Sequence, residues 1–178
     1  MAEIKLETPL TEKEVRDLKA GDNVLLSGVV YTARDSAHQR LVTALDKGKK
    51  LPFELEGSAI YYVGPAPAKP GEVIGSAGPT TSYRMDPFAP QLIEEGLRVM
   101  IGKGDRSQRV IDTMKKFGAV YLAAIGGAAA LISQQIKSAE VIAYQDLGTE
   151  AVRRLEVEDL PLIVAVDSNT NNLYNKGD

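Results

Sequence analysis

Val24-Leu-Leu-Ser-Gly-Val-Val-Tyr-Thr32 is a run of apolar and β-branched residues, which is typical of a buried strand. An amphipathic pattern follows over residues 36–48, with Ala37, Leu41 and Leu45 on one face, and it predicts a helix. A strand followed directly by a helix is the unit from which α/β domains are built. The chain is therefore expected to have an α/β fold.

The same alternation continues along the rest of the chain. The capping-box pattern Thr11-Glu-Lys-Glu14 predicts a short helix through Lys19. Apolar runs predict strands at 59–63, 98–102, 119–125, 140–144 and 162–166, and periodic patterns predict helices at 91–96, 107–117 and 126–136. The charge-rich stretch 150–159 is interpreted as a solvated helix or loop ahead of the last strand. We expect a mixed sheet with flanking helices, or a small barrel-like sheet beside a helix-flanked one.

Length and composition restrict the possible classes of protein. The 178 residues fit a single domain, 1–178, and the net charge of −3 gives no general attraction to nucleic acid or to an anionic membrane. The chain shows neither an apolar run of membrane-spanning length nor a signal-peptide pattern, so a cytoplasmic location is expected. It has no cysteine and one histidine, His38, so no metal site is expected within it.

The stretch Val73-Ile-Gly-Ser-Ala-Gly-Pro-Thr-Thr-Ser-Tyr-Arg-Met-Asp86 carries most of the functional information. It is expected to leave a strand at Val73 and Ile74 and to pass through glycines that let a ligand approach the backbone. Two threonine hydroxyls and the guanidinium of Arg84 follow. A hydrophobic core does not require this combination, whereas a site that holds a small anion and moves a proton does.

Two further polar stretches follow predicted strands, Thr32-Ala-Arg-Asp-Ser-Ala-His38 and Gly102-Lys-Gly104. With Arg84 they offer three cations, which would suit a small dicarboxylate if they converge. Gly102-Lys-Gly104 does not have the spacing of a phosphate-binding loop, and Gly75-Ser-Ala-Gly78 does not have that of a dinucleotide-binding loop.

Simpler interpretations remain open for the same residues. Asp35 or Ser36 could cap the predicted helix, which would leave Arg34 solvated, and His38 could be structural. Thr80 and Thr81 could lie in an ordinary loop, because a threonine hydroxyl becomes a base only beside a cation or a metal.

Taken together, the motifs resemble class I fumarase. The resemblance covers about residues 24–174, and it is to the C-terminal domain of one-chain enzymes and to the beta subunit of two-chain fumarases and L-tartrate dehydratases. It is carried by Thr32-Ala-Arg-Asp, Ile60-Tyr-Tyr-Val-Gly-Pro-Ala-Pro-Ala-Lys-Pro-Gly71, Gly75-Ser-Ala-Gly-Pro-Thr-Thr with Arg84-Met-Asp86, Met100-Ile-Gly-Lys-Gly104, Ile125-Gly-Gly-Ala-Ala-Ala and Glu156-Val-Glu-Asp.

The resemblance implies a fold and a partner. The family fold is a swivelling β/β/α domain that closes over an iron–sulfur alpha part. There, three cysteines hold a [4Fe-4S] cluster whose open iron binds substrate as a Lewis acid. This chain has no cysteine, which agrees with its being the beta part, so no cofactor is expected on it. The implied partners are the alpha subunit in a homo- or hetero-oligomer and a small dicarboxylate substrate.

The resemblance also implies roles for individual residues. Thr80 corresponds to the base that takes the C3 proton of malate, Arg34 to its activator, and Arg84, Lys103 and Thr81 to substrate-binding residues. Asp35 and His38 are expected to orient their neighbours, and the acid that handles the leaving hydroxyl belongs to the alpha part. Tyr83 stands where one-chain enzymes commonly have a smaller residue.

The implied reaction is the reversible hydration of fumarate to L-malate, with the dehydration of L-tartrate as the alternative. A dicarboxylate-binding module without catalysis, or a subunit that serves assembly alone, are further alternatives.

Overall fold

The computed structural model describes residues 3–124 and 129–175. Its strands are β1 (Ile4–Glu7), β2 (Asn23–Thr32), β3 (Ala59–Tyr61), β4 (Val99–Gly102), β5 (Val120–Ala124), β6 (Ile136–Ala143) and β7 (Val152–Val166). Its α-helices are α1 (Glu12–Arg16), α2 (Asp35–Asp46), α3 (Ala89–Glu94), α4 (Gln108–Phe117) and α5 (Ala129–Gln134). Short 3-10 helices occupy Ser82–Met85, Gln145–Glu150 and Leu173–Asn175.

Five of the strands form a closed barrel. Strands β2, β3, β4 and β5 pair in parallel in that order. Strand β7 pairs antiparallel with β5 along one edge and with β2 along the other, and this closes the ring. Strand β1 pairs in parallel with the first half of β2, and β6 pairs antiparallel with the first half of β7. The expected α/β class, with a mixed sheet and flanking helices, is confirmed. The barrel is formed within this one sheet and is not a smaller sheet beside it.

The period-two alternation of the strands divides the buried side chains into two groups. One apolar set fills the barrel interior, and it includes Leu26, Val30, Ile101, Leu122 and Leu162. The other set lies between the outer face of the barrel and the helices. It includes Ile60, Met100 and Tyr121 of the strands and Leu41, Leu92 and Met114 of α2, α3 and α4. Because the barrel is filled by side chains, ligands have to bind at its ends or on its surface.

Local capping residues set two of the helix boundaries. Thr11 and Glu14 form the predicted capping box at the start of α1. The Ser107 hydroxyl accepts a hydrogen bond from the Val110 amide at the start of α4, and Gly118 ends that helix in the left-handed conformation, with φ of 83°. A residue with a Cβ would be strained at Gly118, so this helix end is encoded locally.

The prediction for residues 150–159 was wrong. Residues 152–159 belong to β7, in which Val152, Leu155 and Val157 are buried while Glu156 and Glu158 are exposed. In a strand, alternate side chains point to opposite faces, so apolar and charged residues can alternate and still contribute to a core.

Two further boundary predictions need correction. Val73 and Ile74 lie in no strand, since residues 62–80 form a connection that contains a turn and a bend but no helix or strand. Ile136, expected to end a helix, is the first residue of β6. The start of that predicted helix, 126–128, lies outside the described residues.

Candidate active site

The carboxyl ends of the parallel strands gather several of the predicted site residues at one end of the barrel. Arg34 comes two residues after β2, and Lys103 follows β4 directly. Residues 80–82 are anchored at the same end: the Thr80 amide donates to the Tyr62 carbonyl at 2.7 Å, and the Ser82 amide donates to the Lys103 carbonyl at 2.8 Å. Thr81 forms an isolated parallel bridge with Lys103. The structure thus brings Thr80, Thr81 and Lys103 together, as α/β folds commonly do with ligand-binding groups.

Asp35 connects two of the predicted cations. Its Oδ2 accepts a hydrogen bond from Arg84 Nε at 2.9 Å, and its Oδ1 lies 3.6 Å from Arg34 Nε. Partial burial opposes ionisation of Asp35, but the hydrogen bond and charge of Arg84 outweigh it, so the pKa of this carboxyl is lowered. Asp35 is therefore an anion that pairs with both arginines at the N-terminus of α2.

The alternative that Asp35 or Ser36 caps α2 is not observed. Arg34 occupies the N-cap position without a side-chain hydrogen bond to the helix, and only 24% of its side chain is exposed. The carboxylate of Glu150 instead accepts the hydrogen bond of the Ser36 amide at 3.1 Å. An anion is favourable at a helix N-terminus. Sequence reasoning missed Glu150 because it lies more than a hundred residues away along the chain.

The side chain of Arg34 lies against Gly64 in the connection that follows β3. A Cβ at Gly64 would lie 3.1 Å from Arg34 Cδ, which is a tight contact. The glycine therefore leaves room for the arginine to cross the backbone at this end of the barrel.

His38 is completely buried beneath Arg34. Its ring is in an edge-to-face contact with Tyr62 at 5.3 Å, and its Nδ1 lies 2.9 Å from the Arg34 carbonyl oxygen. Since a carbonyl only accepts, Nδ1 carries the proton and donates, and Nε2 has no partner among the described residues. Burial lowers the pKa of His38 from 6.5 to about 4. The ring is thus neutral at pH 7 and supports the backbone of Arg34.

This neutral histidine should make stability fall as the pH is lowered. The folded chain gives up the His38 proton more readily than the unfolded chain does. The stability that depends on a neutral His38 is therefore fully present above pH 6.5 and is lost as the pH falls toward 4. We expect a loss of about 2 to 3 kcal/mol between pH 7 and 4.5, at roughly 1.4 kcal/mol per pKa unit. Urea unfolding of the wild type and of His38→Gln at both pH values measures this difference. Equal pH dependence in the two proteins would contradict it.

Arg106 is a buried cation behind the site that sequence reasoning missed. Its side chain has no exposed area, its Nε donates to Asp86 Oδ1 at 2.8 Å, and its guanidinium lies over the rings of Tyr62 and Tyr121 at 5.1 and 4.9 Å. The other oxygen of Asp86 accepts the Ser107 amide at 2.8 Å. In sequence, Arg106 is an ordinary loop arginine close to Gly104, and only its tertiary contacts show its role.

The side of this barrel end that carries Tyr83, Arg84 and Lys103 is open to solvent. Tyr83 is 66% exposed, the side chain of Arg84 is 46% exposed, and Lys103 is exposed. The arrangement offers cations for carboxylates and hydroxyls for polar contacts. It does not enclose a ligand by itself, although low-dielectric enclosure is what strengthens electrostatic catalysis.

The chain does not supply a ligand set for an iron–sulfur cluster. It has no cysteine, and residues 3–124 and 129–175 contain no group of three or more histidine, aspartate or glutamate side chains placed to hold a metal ion. None of the helices in these ranges combines the length and hydropathy that crossing a bilayer requires.

Comparison with known proteins identifies the family to which this fold and site belong. A family model described as "Fumarase C-terminus" matches residues 1–177. The chain therefore belongs to the fumarase C-terminal family, as the motifs indicated. Its relatives carry the names of hydro-lyases.

Three relatives illustrate the match. The chain is 43% identical over 171 residues to the "Putative L(+)-tartrate dehydratase subunit beta" of Methanocaldococcus jannaschii, covering 93% of this chain and 88% of that protein. It is 39% identical over 175 residues to the aerobic class I fumarate hydratase of Salmonella typhimurium, covering 96% of this chain and 30% of that protein. It is 38% identical over 177 residues to fumarate hydratase 2 of Leishmania major, covering 97% of this chain and 31% of that protein. The chain thus spans about a third of the length of these fumarate hydratases.

Proposed function

We propose that this chain is the beta part of an iron–sulfur hydro-lyase that interconverts fumarate and L-malate. The observation that carries the proposal is the gathering of Thr80, Thr81 and Lys103 at the barrel end where Asp35 also holds Arg34 and Arg84. Membership of the fumarase C-terminal family supports it. In this proposal residues 1–178 form one domain of the swivelling type, which closes over its partner in the cytoplasm.

The substrate is held through its two carboxylates. Within the described part of the chain, hydrogen bonds of Arg84 use only Nε, to Asp35, so its two terminal nitrogens can bind one carboxylate. The exposed ammonium of Lys103 binds the other carboxylate, and the Thr81 hydroxyl contributes a further polar contact. His38 and Asp35 support this arrangement by holding the backbone of Arg34 and the side chain of Arg84.

The proton is moved by Thr80. In the malate-to-fumarate direction, the Thr80 oxygen takes a proton from C3, the C2–O bond breaks, and hydroxide leaves with a proton supplied by the partner. A threonine alkoxide forms only in a positive field, and Arg34 at the same barrel end supplies it. Hydration is the reverse sequence, with Thr80 returning the proton to C3.

The remaining half of the site belongs to a partner. In the proposal, an alpha subunit carries the [4Fe-4S] cluster, for which this chain has no cysteine ligands, and covers the open barrel end. One relative is named as a subunit beta and is matched over 88% of its length, whereas the fumarate hydratases are about three times longer than the match. Both facts support a chain that works with a second part, in a homo- or hetero-oligomer.

L-tartrate is the second candidate substrate. It is favoured by the 43% identity to the relative named for tartrate dehydration, which is higher than the 39% to the Salmonella fumarate hydratase. Tartrate also presents two carboxylates and a hydroxyl, so the same cations and base would serve it.

Co-expression with a cysteine-bearing alpha partner, followed by cluster reconstitution without oxygen, tests the proposal. Malate, fumarate and both tartrates are then assayed with each chain alone and with both together. Turnover that requires both chains supports the proposal, and the preferred acid names the enzyme. An intact cluster without turnover, together with dicarboxylate binding by this chain alone, would instead indicate a binding module.

Lys103→Met is expected to raise the Michaelis constant about 10- to 100-fold, because a hydrogen bond to a charged group contributes roughly 1.5–3 kcal/mol. The turnover number should change little, since the lysine binds the carboxylate equally in the ground state and the transition state. Steady-state kinetics of the assembled enzyme measure both constants. Lys115→Met, which replaces an exposed lysine of α4, is the matched control. An unchanged Michaelis constant would show that Lys103 does not bind substrate.

A further inference from the structure

The hydroxyl of Tyr121 is buried between two segments of the candidate site. Tyr121 lies on β5, points away from the barrel interior and has no exposed area. Its hydroxyl lies 2.6 Å from Ser82 Oγ and 2.7 Å from the Gly104 carbonyl oxygen. Because a carbonyl only accepts, the tyrosine donates to Gly104, and the serine hydroxyl donates to the tyrosine oxygen.

Both partners of this hydroxyl are close in sequence to residues of the proposed mechanism. Ser82 comes two residues after Thr80, and Gly104 directly follows Lys103. A second hydrogen bond, from the Ser82 amide to the Lys103 carbonyl at 2.8 Å, joins the same two segments. The Tyr121 hydroxyl therefore completes a closed set of hydrogen bonds between the loop of the base and the loop of the carboxylate-binding lysine.

The surroundings are shaped to admit this contact. A Cβ at Gly102 would lie 2.1 Å from Ser82 Oγ and 2.9 Å from the Tyr62 ring, so only glycine at the end of β4 leaves space for the serine. The guanidinium of Arg106 lies 4.9 Å from the centre of the Tyr121 ring and holds it in place. Burial also raises the pKa of Tyr121 far above its usual value, so the hydroxyl stays a donor at every working pH.

We infer that Tyr121 is a positioning residue that sets the distance between Thr80 and Lys103 through its hydroxyl. The inference rests on the proposed function for the roles of those two residues. Its physical basis is that a misplacement of about 1 Å in a reacting group can cost about 100-fold in rate. Tyr121 itself does not touch the substrate in this account.

Tyr121→Phe removes one oxygen atom and keeps the ring that packs against Arg106. In the assembled enzyme we expect the turnover number to fall about 10- to 100-fold and the Michaelis constant to rise, because both loops lose their common tie. Ser82→Ala should give a similar loss, and the double variant should be no worse than Tyr121→Phe alone, since all three break one link. Additive losses in the double variant would contradict a shared link.

Thr8→Val is the control for a general loss of stability. It removes a hydroxyl that donates to the Val29 carbonyl at 2.7 Å, beside β2 and outside the residues of the site. We expect this variant to lower the melting temperature without changing the kinetic constants. If Tyr121→Phe likewise lost only stability and kept wild-type kinetic constants, the positioning role would be overturned.

Amide hydrogen exchange provides a test that does not depend on activity. The Thr80 and Ser82 amides donate to the Tyr62 and Lys103 carbonyls, and in Tyr121→Phe they should exchange faster while amides of β5 do not. Unchanged exchange at both amides would overturn the inference even in an active enzyme. A third outcome separates the two proposals. If Tyr121→Phe exchanges faster at these amides but the assembled wild type turns over neither malate, fumarate nor either tartrate, the tie between the loops is supported and the proposed function is contradicted.

Discussion

Thr80→Ala is expected to lower the turnover number of the assembled enzyme about 100- to 10,000-fold, the usual contribution of a positioned acid or base. Dicarboxylate binding should remain, because the carboxylates are held by Arg84 and Lys103 in the proposed mechanism. The backbone hydrogen bond from Thr80 to the Tyr62 carbonyl is retained in the variant, so the loop should keep its path. Rapid-mixing kinetics and equilibrium titration with fumarate measure the two quantities separately.

Two matched variants give this prediction its specificity. Thr80→Ser keeps a hydroxyl at the same position and should retain much of the activity. Thr113→Ala removes a hydroxyl that donates to the Arg109 carbonyl at 2.7 Å within α4, and it should leave turnover unchanged. Near-wild-type turnover in Thr80→Ala would remove Thr80 from the role of base and direct attention to a group on the partner.

Asp86→Ala is expected to lower the free energy of unfolding by about 3–5 kcal/mol, the usual cost of leaving a buried charge without its partner. Arg106 has no exposed side-chain area and Asp86 has 11%, so the guanidinium would lose its counter-charge in a largely buried position. The same substitution removes the acceptor of the Ser107 amide at the start of α4. For a chain of this size the melting temperature should fall by roughly 6–20 °C.

Asp146→Ala is the matched control for this loss. Asp146 also forms a close pair with an arginine, Arg40, with its oxygens 2.8 and 2.5 Å from the guanidinium nitrogens, but the side chains are 66% and 40% exposed. Exposed pairs contribute little to stability, because water and salt screen their charges, so this variant should unfold almost like the wild type. Similar losses from the two substitutions, measured by urea unfolding, would show that burial does not decide the contribution of the Asp86 pair.

The open site and its buried support explain why these two predictions concern different properties. Arg84 and Lys103 face solvent and can contact a ligand, whereas Arg106 and Tyr121 lie behind them with every polar group of the tyrosine paired. Substitutions on the open side should change kinetics. Substitutions behind it should change stability, and change kinetics only where they move a loop of the site.

The local elements of the fold could be predicted from the sequence. The strand before Arg34, the helix after it and the capping box at Thr11 were all predicted within a few residues. Their sequence signals lie within two to four residues, as alternation in a strand, as the 3.6-residue period of a helix or as a capping pair, and each can be recognised without knowing the distant partners. The candidate cations and hydroxyls were found in the same way, because they interrupt apolar strands.

The pairing of β7 was not predicted. Its first half alternates apolar and charged residues and was interpreted as a solvated segment, yet it pairs with both β2 and β6. Leu26 pairs with Leu160, more than a hundred residues away in the chain. The alternation itself favours a strand, but the high charge of the stretch was given more weight. The partners of the strand lie so far away in the chain that no local pattern identifies them.

The sequence by itself determined the α/β class, the family and the residues that could carry chemistry, because these follow from local patterns and from motifs read in order. Only the tertiary structure decided that the sheet closes into a barrel, that Asp35 joins Arg34 to Arg84, and that the Tyr121 hydroxyl ties Ser82 to Gly104. Most of these contacts join residues that are far apart in sequence. Arg34 and Asp35 are neighbours, but the Asp35 carboxylate is oriented by the distant Arg84. Their geometry is set by the packing of the whole domain, which no short stretch of sequence encodes.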